Sequence, residues 1–84
     1  MKYKIITSDF DHTTNEFICT LDFYVEGQTP AEFEYYATDN FRLSLPVTQE
    51  QIYEKIKKLG EKHKQYYELQ KLLQTEGDID NIEI

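Results

Sequence analysis

The side chains best suited to chemistry gather early in the chain. Asp9, Asp11, Thr13 and Asn15 occupy alternate positions, the spacing at which calcium loops set their oxygen ligands. Counted from Asp9, such a loop needs glycine at its sixth position and a bidentate glutamate at its twelfth. Thr14 and Thr20 stand there instead, so a dedicated metal site is not expected. His12 and His63 lie on separate stretches, each without a second His or Cys at ligand spacing. Cys19 is the one cysteine, which excludes an internal disulfide and a cysteine zinc site. His63 falls on an apolar helical stripe and reads as a hydrogen-bonded core or interface histidine. Cys19 falls on an apolar strand face and reads as a small buried residue. A Gly-rich phosphate loop, a Ser-His-Asp grouping and the basic-aromatic interleaving that stacks bases are all missing from the sequence.

The run Ile5-Ile6-Thr7-Ser8-Asp9-Phe10-Asp11-His12-Thr13 resembles the nucleophile motif of the haloacid dehalogenase superfamily, a strand ending in Asp-x-Asp-x-Thr. The resemblance implies Asp9 as the nucleophile toward a phosphoryl group, Asp11 as acid/base, and a bridging Mg²⁺. Gly77-Asp78 echoes that family's late acidic motif. The likeness covers nine of the 84 residues, with His12 where the family carries glycine. It also implies a parallel sheet, whose crossovers take about a dozen residues or more. Only a short polar stretch separates Asp11 from the next strand-like run at Phe17. Metal-dependent phosphatase-like chemistry at Asp9 and Asp11 is therefore a remote alternative. The chain is read as a non-enzyme without a cofactor.

The elements that must position any site divide the chain in two. Up to about residue 46 the sequence alternates. Phe17, Cys19, Leu21, Phe23 and Val25 are apolar, and Ile18, Thr20, Asp22 and Tyr24 between them are more polar, the pattern of a half-buried strand. Tyr3-Ile5-Thr7, Ala31-Phe33-Tyr35-Ala37 and Phe41-Leu43-Leu45 repeat it. Turn chemistry at Asp11–Asn15, Glu26–Pro30 and Thr38–Asn40 separates four strands. Hairpin registers that keep the apolar set on one face pair Thr7 with Phe17, Val25 with Ala31, and Ala37 with Phe41, with Asn40 in the left-handed position of the last turn.

The second half repeats at helical spacing. Thr48 and Gln51 form a capping box, with Val47 and Ile52 as a hydrophobic staple. Ile52, Ile56, Leu59, His63, Tyr66, Gln70 and Leu73 follow at steps of four and three. Gly60 weakens the helix without shifting its phase, and Gly77 is a stop signal. The fold expected is α+β: a four-stranded antiparallel β-meander packed against one long C-terminal amphipathic helix. A single domain spans 1–77, with the sheet at 2–46 and the helix at 48–76. An acidic tail follows at 78–84.

Charge limits the partners. The net charge is −7, with 9 basic against 16 acidic residues, which argues against direct nucleic-acid or anionic-membrane binding. With no long apolar run, the expected setting is cytoplasmic. The bias toward Lys, Ile, Tyr and Phe over Gly, Ala, Pro and Arg fits a low-GC bacterium or one of its phages. Two surfaces are candidates for binding protein. On the outer sheet face the expected register sets Asp22 opposite Glu34 and Glu32 across from Tyr24, with Tyr36 beside Arg42, an acidic face bearing tyrosines. Strands of seven to nine residues are shorter than the helix, so its end at Tyr66, Tyr67, Leu69 and Leu73 overhangs the sheet, ready for a protein partner or a second copy. The function expected is a small acidic, non-catalytic protein-binding module of accessory, inhibitory or assembly type. The alternative is an acidic mimic of nucleic acid that blocks a DNA- or RNA-binding protein.

Overall fold

The computed structural model describes residues 1–29, 32–73 and 76–82. Three strands, β1 (Lys2–Asp11), β2 (Glu16–Glu26) and β3 (Phe33–Ser44), precede a helix, α1 (Gln49–Leu72), and a short 3₁₀ turn at Ile79–Asn81. The strands form an antiparallel sheet in the order β1-β2-β3. The α+β architecture and the meander hold, but the sheet has three strands where the sequence predicts four.

The missing strand is a turn that does not form. Thr38, Asp39 and Asn40 lie inside β3, paired with Asp22, Leu21 and Thr20. Both halves of β3 thus pair with the full length of β2. Pairing between Ala37 and Phe41 is replaced by Ala37 with Phe23 and Phe41 with Cys19. In the first hairpin Tyr3 and Ile5 meet Phe23 and Leu21, two residues from the expected register. On the near side of each bulge these offsets are even, so Tyr3, Ile5, Phe17, Cys19, Leu21, Phe23 and Phe41 keep their face. The expected Val25–Ala31 pair lies outside the described residues on its Ala31 side. Val25 itself faces Tyr35.

Two β-bulges complete the sheet. Ile6 has no partner between Ile5, opposite Leu21, and Thr7, opposite Thr20. Glu34 has none between Phe33, opposite Glu26, and Tyr35. Each extra residue reverses the alternation along its strand.

The turns follow from local chemistry. Between β1 and β2 the Asp11 carboxylate accepts the amides of Thr13 (3.0 Å) and Thr14 (3.3 Å). Asn15 takes the left-handed conformation at φ 58°, a conformation that Asn tolerates. That position belongs to Asn15 and not to Asn40. Before β3 the Gly27 amide donates to the Glu32 carbonyl at 2.9 Å. A Cβ on Gly27 would come within 3.1 Å of Glu32, so this close approach favours glycine.

Thr48 caps α1. Its hydroxyl accepts the Gln51 amide at 3.2 Å, and the Gln51 side chain accepts the Thr48 amide at 3.0 Å. The helix passes through Gly60 without interruption, and Phe23 is the side chain that faces it there. A Cβ there would stand 3.4 Å from that ring. The helix ends at Leu72 rather than at residue 76. Leu73 turns to an extended conformation and its amide donates to the Gln70 carbonyl. Gln74 and Thr75 lie outside the described residues.

The core lies between α1 and the inner face of β2 and β3. Phe17, Cys19, Leu21, Phe23, Phe41 and Ile56 are buried, with Leu43, Leu45, Val47, Ile52 and Leu59 packed around them. Burial pushes the Cys19 thiol above its ordinary pKa. The helix leaves β1 uncovered, and every residue from Lys2 to Phe10 is exposed.

Candidate protein-interaction surface

The outer sheet face differs from the acidic face expected. Asp22 lies between Lys4 on β1 and Thr38 on β3, not opposite Glu34. Its carboxylate accepts the hydroxyls of Tyr36 and, at 2.7 Å, Thr38. These bonds, Tyr36 foremost, hold the Asp22 carboxyl below its ordinary pKa, and the same bond to Asp22 raises the Tyr36 phenol. Asp22 is buried at 6% exposure and fully partnered. Glu16 and Asp11 are answered by Arg42 at 3.5 Å each, and Glu26 by Lys2 at 3.1 Å. The row of uncompensated carboxylates that a nucleic-acid mimic would present does not form around Asp22.

An aromatic patch occupies this face instead. The β3 bulge sends Phe33 outward and leaves Glu34 within reach of the helix, where it accepts the Tyr67 hydroxyl. Phe33 then meets Tyr24 edge-on at 5.6 Å and Tyr36 at 5.0 Å, while Tyr24 and Tyr36 stack at 6.4 Å. Phe33 and Tyr36 remain 49% and 53% exposed. Of the residues singled out on the sheet, Asp22, Tyr24 and Tyr36 come together. Glu34 moves to the helix side, and Glu32 stays exposed in the preceding loop. Strict alternation places Phe33 on the inner face, because it cannot register a bulge.

The helix end is exposed, though not for the reason expected. Strands of 10 to 12 residues span about 33–40 Å, close to the roughly 36 Å of a 24-residue helix. The last anchor of α1 on the sheet is Tyr67, against Tyr35 at 6.0 Å and Glu34, while Tyr66 stays exposed and packs edge-on to His63 of its own helix at 5.7 Å. Beyond them Leu69, Leu72 and Leu73 are exposed, past the start of β3.

His63 is the polar centre of the helix–sheet contact. Its Nδ1 lies 2.6 Å from the Tyr35 hydroxyl and its Nε2 2.9 Å from the Asp39 carboxylate, and its ring stacks on Phe23 at 4.8 Å. An ionised Asp39 can only accept, so Nε2 carries a proton toward it. In the neutral ring Nδ1 then accepts from Tyr35. Burial pushes the Asp39 carboxyl up, but the bonds from His63, the Asn40 amide and Lys62 outweigh it and leave the pKa lowered. Burial raises the Tyr35 phenol. Every buried side-chain nitrogen and oxygen among the described residues has a partner, which fits a structural network.

Asp9 and Asp11 lie on the outer face of β1, which returns through a tight turn into an antiparallel strand. The parallel strand-to-helix setting implied by the dehalogenase resemblance is not the setting found. Asp11 is occupied by the turn amides, Thr14 first, which lower its pKa. Asp9 accepts the Phe10 amide at 2.8 Å. Among the described residues no three His, Cys, Asp or Glu side chains converge as a metal site, and no helix is long and apolar enough to cross a membrane.

The chain matches no protein-family model, no curated protein and no solved structure.

Proposed function

We propose that the chain is a non-catalytic protein-binding module, an accessory, inhibitory or assembly component that engages its partner through the aromatic patch on the outer sheet face. The observation that carries this reading is the packing of Tyr24, Phe33 and Tyr36 against one another while Phe33 and Tyr36 stay half exposed. Aromatic side chains offer large contact area with few rotatable bonds, and they dominate binding energy in protein interfaces. The bond from Tyr36 to Asp22 fixes the ring before a partner arrives, which reduces the entropy lost on binding. Leu69 and Leu73 at the end of α1 provide a second apolar contact on the other side of the sheet.

Selection of displayed peptides on the immobilised chain tests the reading. Peptides enriched on the wild type are expected to lose about tenfold or more in affinity for a Phe33→Ser/Tyr36→Ser chain, with its far-UV spectrum unchanged. Binding that survives this double substitution would move the site elsewhere.

A further inference from the structure

The exposed edge of β1 carries a pattern that fits a second copy of itself. Pairing with Tyr24 and Asp22 places Lys2 and Lys4 on the outer face, and pairing with Ile18 and Glu16 places Asp9 and Asp11 there too. Tyr3, Ile5, Ser8 and Phe10 meet Phe23, Leu21, Cys19 and Phe17 on the inner face. Even residues point outward before the bulge and odd residues after it, so Ile6 is where the alternation reverses.

That reversal has a geometric result. Two regular strands related by a two-fold axis normal to their sheet pair residues whose numbers sum to an even value, because opposed residues must share a face. In β1 the bulge removes the restriction at the centre of the strand, and the register summing to 13 becomes consistent on both sides of it. Lys2 then lies opposite Asp11 of the second copy, Lys4 opposite Asp9, Tyr3 opposite Phe10, and Ile5 opposite Ser8. Every basic residue of the strand meets an acidic one, every aromatic residue meets an aromatic one, and each of these pairs shares a face.

We propose that β1 pairs antiparallel with β1 of a second copy, joining two sheets into one of six strands with both helices on the same side. The apolar residues that α1 leaves bare support it, since Tyr3, Ile5 and Phe10 are 46%, 44% and 52% exposed. In the joined sheet they form a continuous strip between the two helices. Lys2 already reaches Glu26 at 3.1 Å and Asp11 reaches Arg42 at 3.5 Å, so the inner pair, Lys4 with Asp9, contributes the freer charges. One edge-to-edge strand pairing is a modest interface, and the association is concentration-dependent.

Charge exchange tests the pairing. Sedimentation at low ionic strength and high concentration is expected to give wild-type chains a mass of twice 10.1 kDa. Lys4→Glu alone sets a carboxylate against Asp9 of the second copy, and Asp9→Lys alone sets an ammonium group against Lys4, in each case twice by symmetry. Each variant is expected to self-associate at least about tenfold more weakly. An equimolar mixture of the two is expected to recover the dimer, because every opposed pair is again of opposite sign. A wild-type monomer throughout, self-association unchanged in both variants, or a mixture that stays monomeric would each overturn the proposal. Circular dichroism of the variants separates lost pairing from lost folding.

Discussion

Asp39 occupies a position that simple patterning gives to an apolar side chain, on the helix-facing side of β3 opposite Leu21. It is tolerated because His63 and Lys62 reach it from α1 at 2.9 and 3.2 Å. Replacing His63 with Ala would leave Asp39 and the Tyr35 hydroxyl short of a partner and open a gap beside Phe23. The expected loss is about 2–4 kcal/mol, read from urea unfolding, and a loss below about 1 kcal/mol would mean that water repairs the site. The lowered Asp39 pKa also fixes a direction with acid. Its contribution is complete above the ordinary carboxyl value of 3.8 and is lost as pH falls through the lower folded value. Stability of the wild type should thus fall more steeply in that acid range than stability of Asp39→Asn. Parallel curves for the two chains would show that the carboxylate is not linked to folding.

At the scale of elements, what can be read in advance divides by the range of the interactions involved. The capping box at Thr48 and Gln51, the turn at Asp11–Asn15 and the inner face Phe17-Cys19-Leu21-Phe23 are local patterns, and they are found where the sequence places them. The Thr38-Asp39-Asn40 stretch has turn composition, yet its polar side chains serve distant partners: Thr38 bonds Asp22, and Asp39 bonds the helix. Composition alone does not separate a residue that bonds its own turn from one that bonds another element. For the same reason the candidate patch is half legible: Tyr24, Tyr36 and Asp22 can be read from alternation, but Phe33 depends on a bulge. Gly60 gives an element-scale prediction. Its Cβ would make ordinary contact with Phe23 at 3.4 and 3.9 Å inside an unbroken helix. Gly60→Ala should therefore stabilise the fold by about 0.5–1 kcal/mol, seen as a rise in thermal midpoint. A fall would show that the helix must sit closer to the sheet than alanine permits.

For the whole molecule the placement of α1 over β2 and β3 sets a gradient of protection. Cys19, Leu21 and Phe23 on β2 are 1%, 0% and 1% exposed, with strands on both sides and the helix above. Beside them β1 is bonded along one edge only and is exposed from Lys2 to Phe10. Native-state amide exchange on the Lys4→Glu chain, chosen to keep β1 unpaired, should find the slowest amides in β2 and faster exchange in β1. Equal protection in the two strands would mean that the sheet opens only as one unit.

The two bulges also define where this sheet could change length. Ile6 and Glu34 are the two strand residues that oppose no residue of β2. Removing either would turn an interrupted ladder into a regular one and leave every flanking side chain on the face it now holds. Removing any paired residue from the middle of a strand would carry one flank onto the wrong side of the sheet. A single-residue deletion scan should therefore find tolerance concentrated at positions 6 and 34, making these bulges the sheet's silent sites for insertion and loss over evolutionary time.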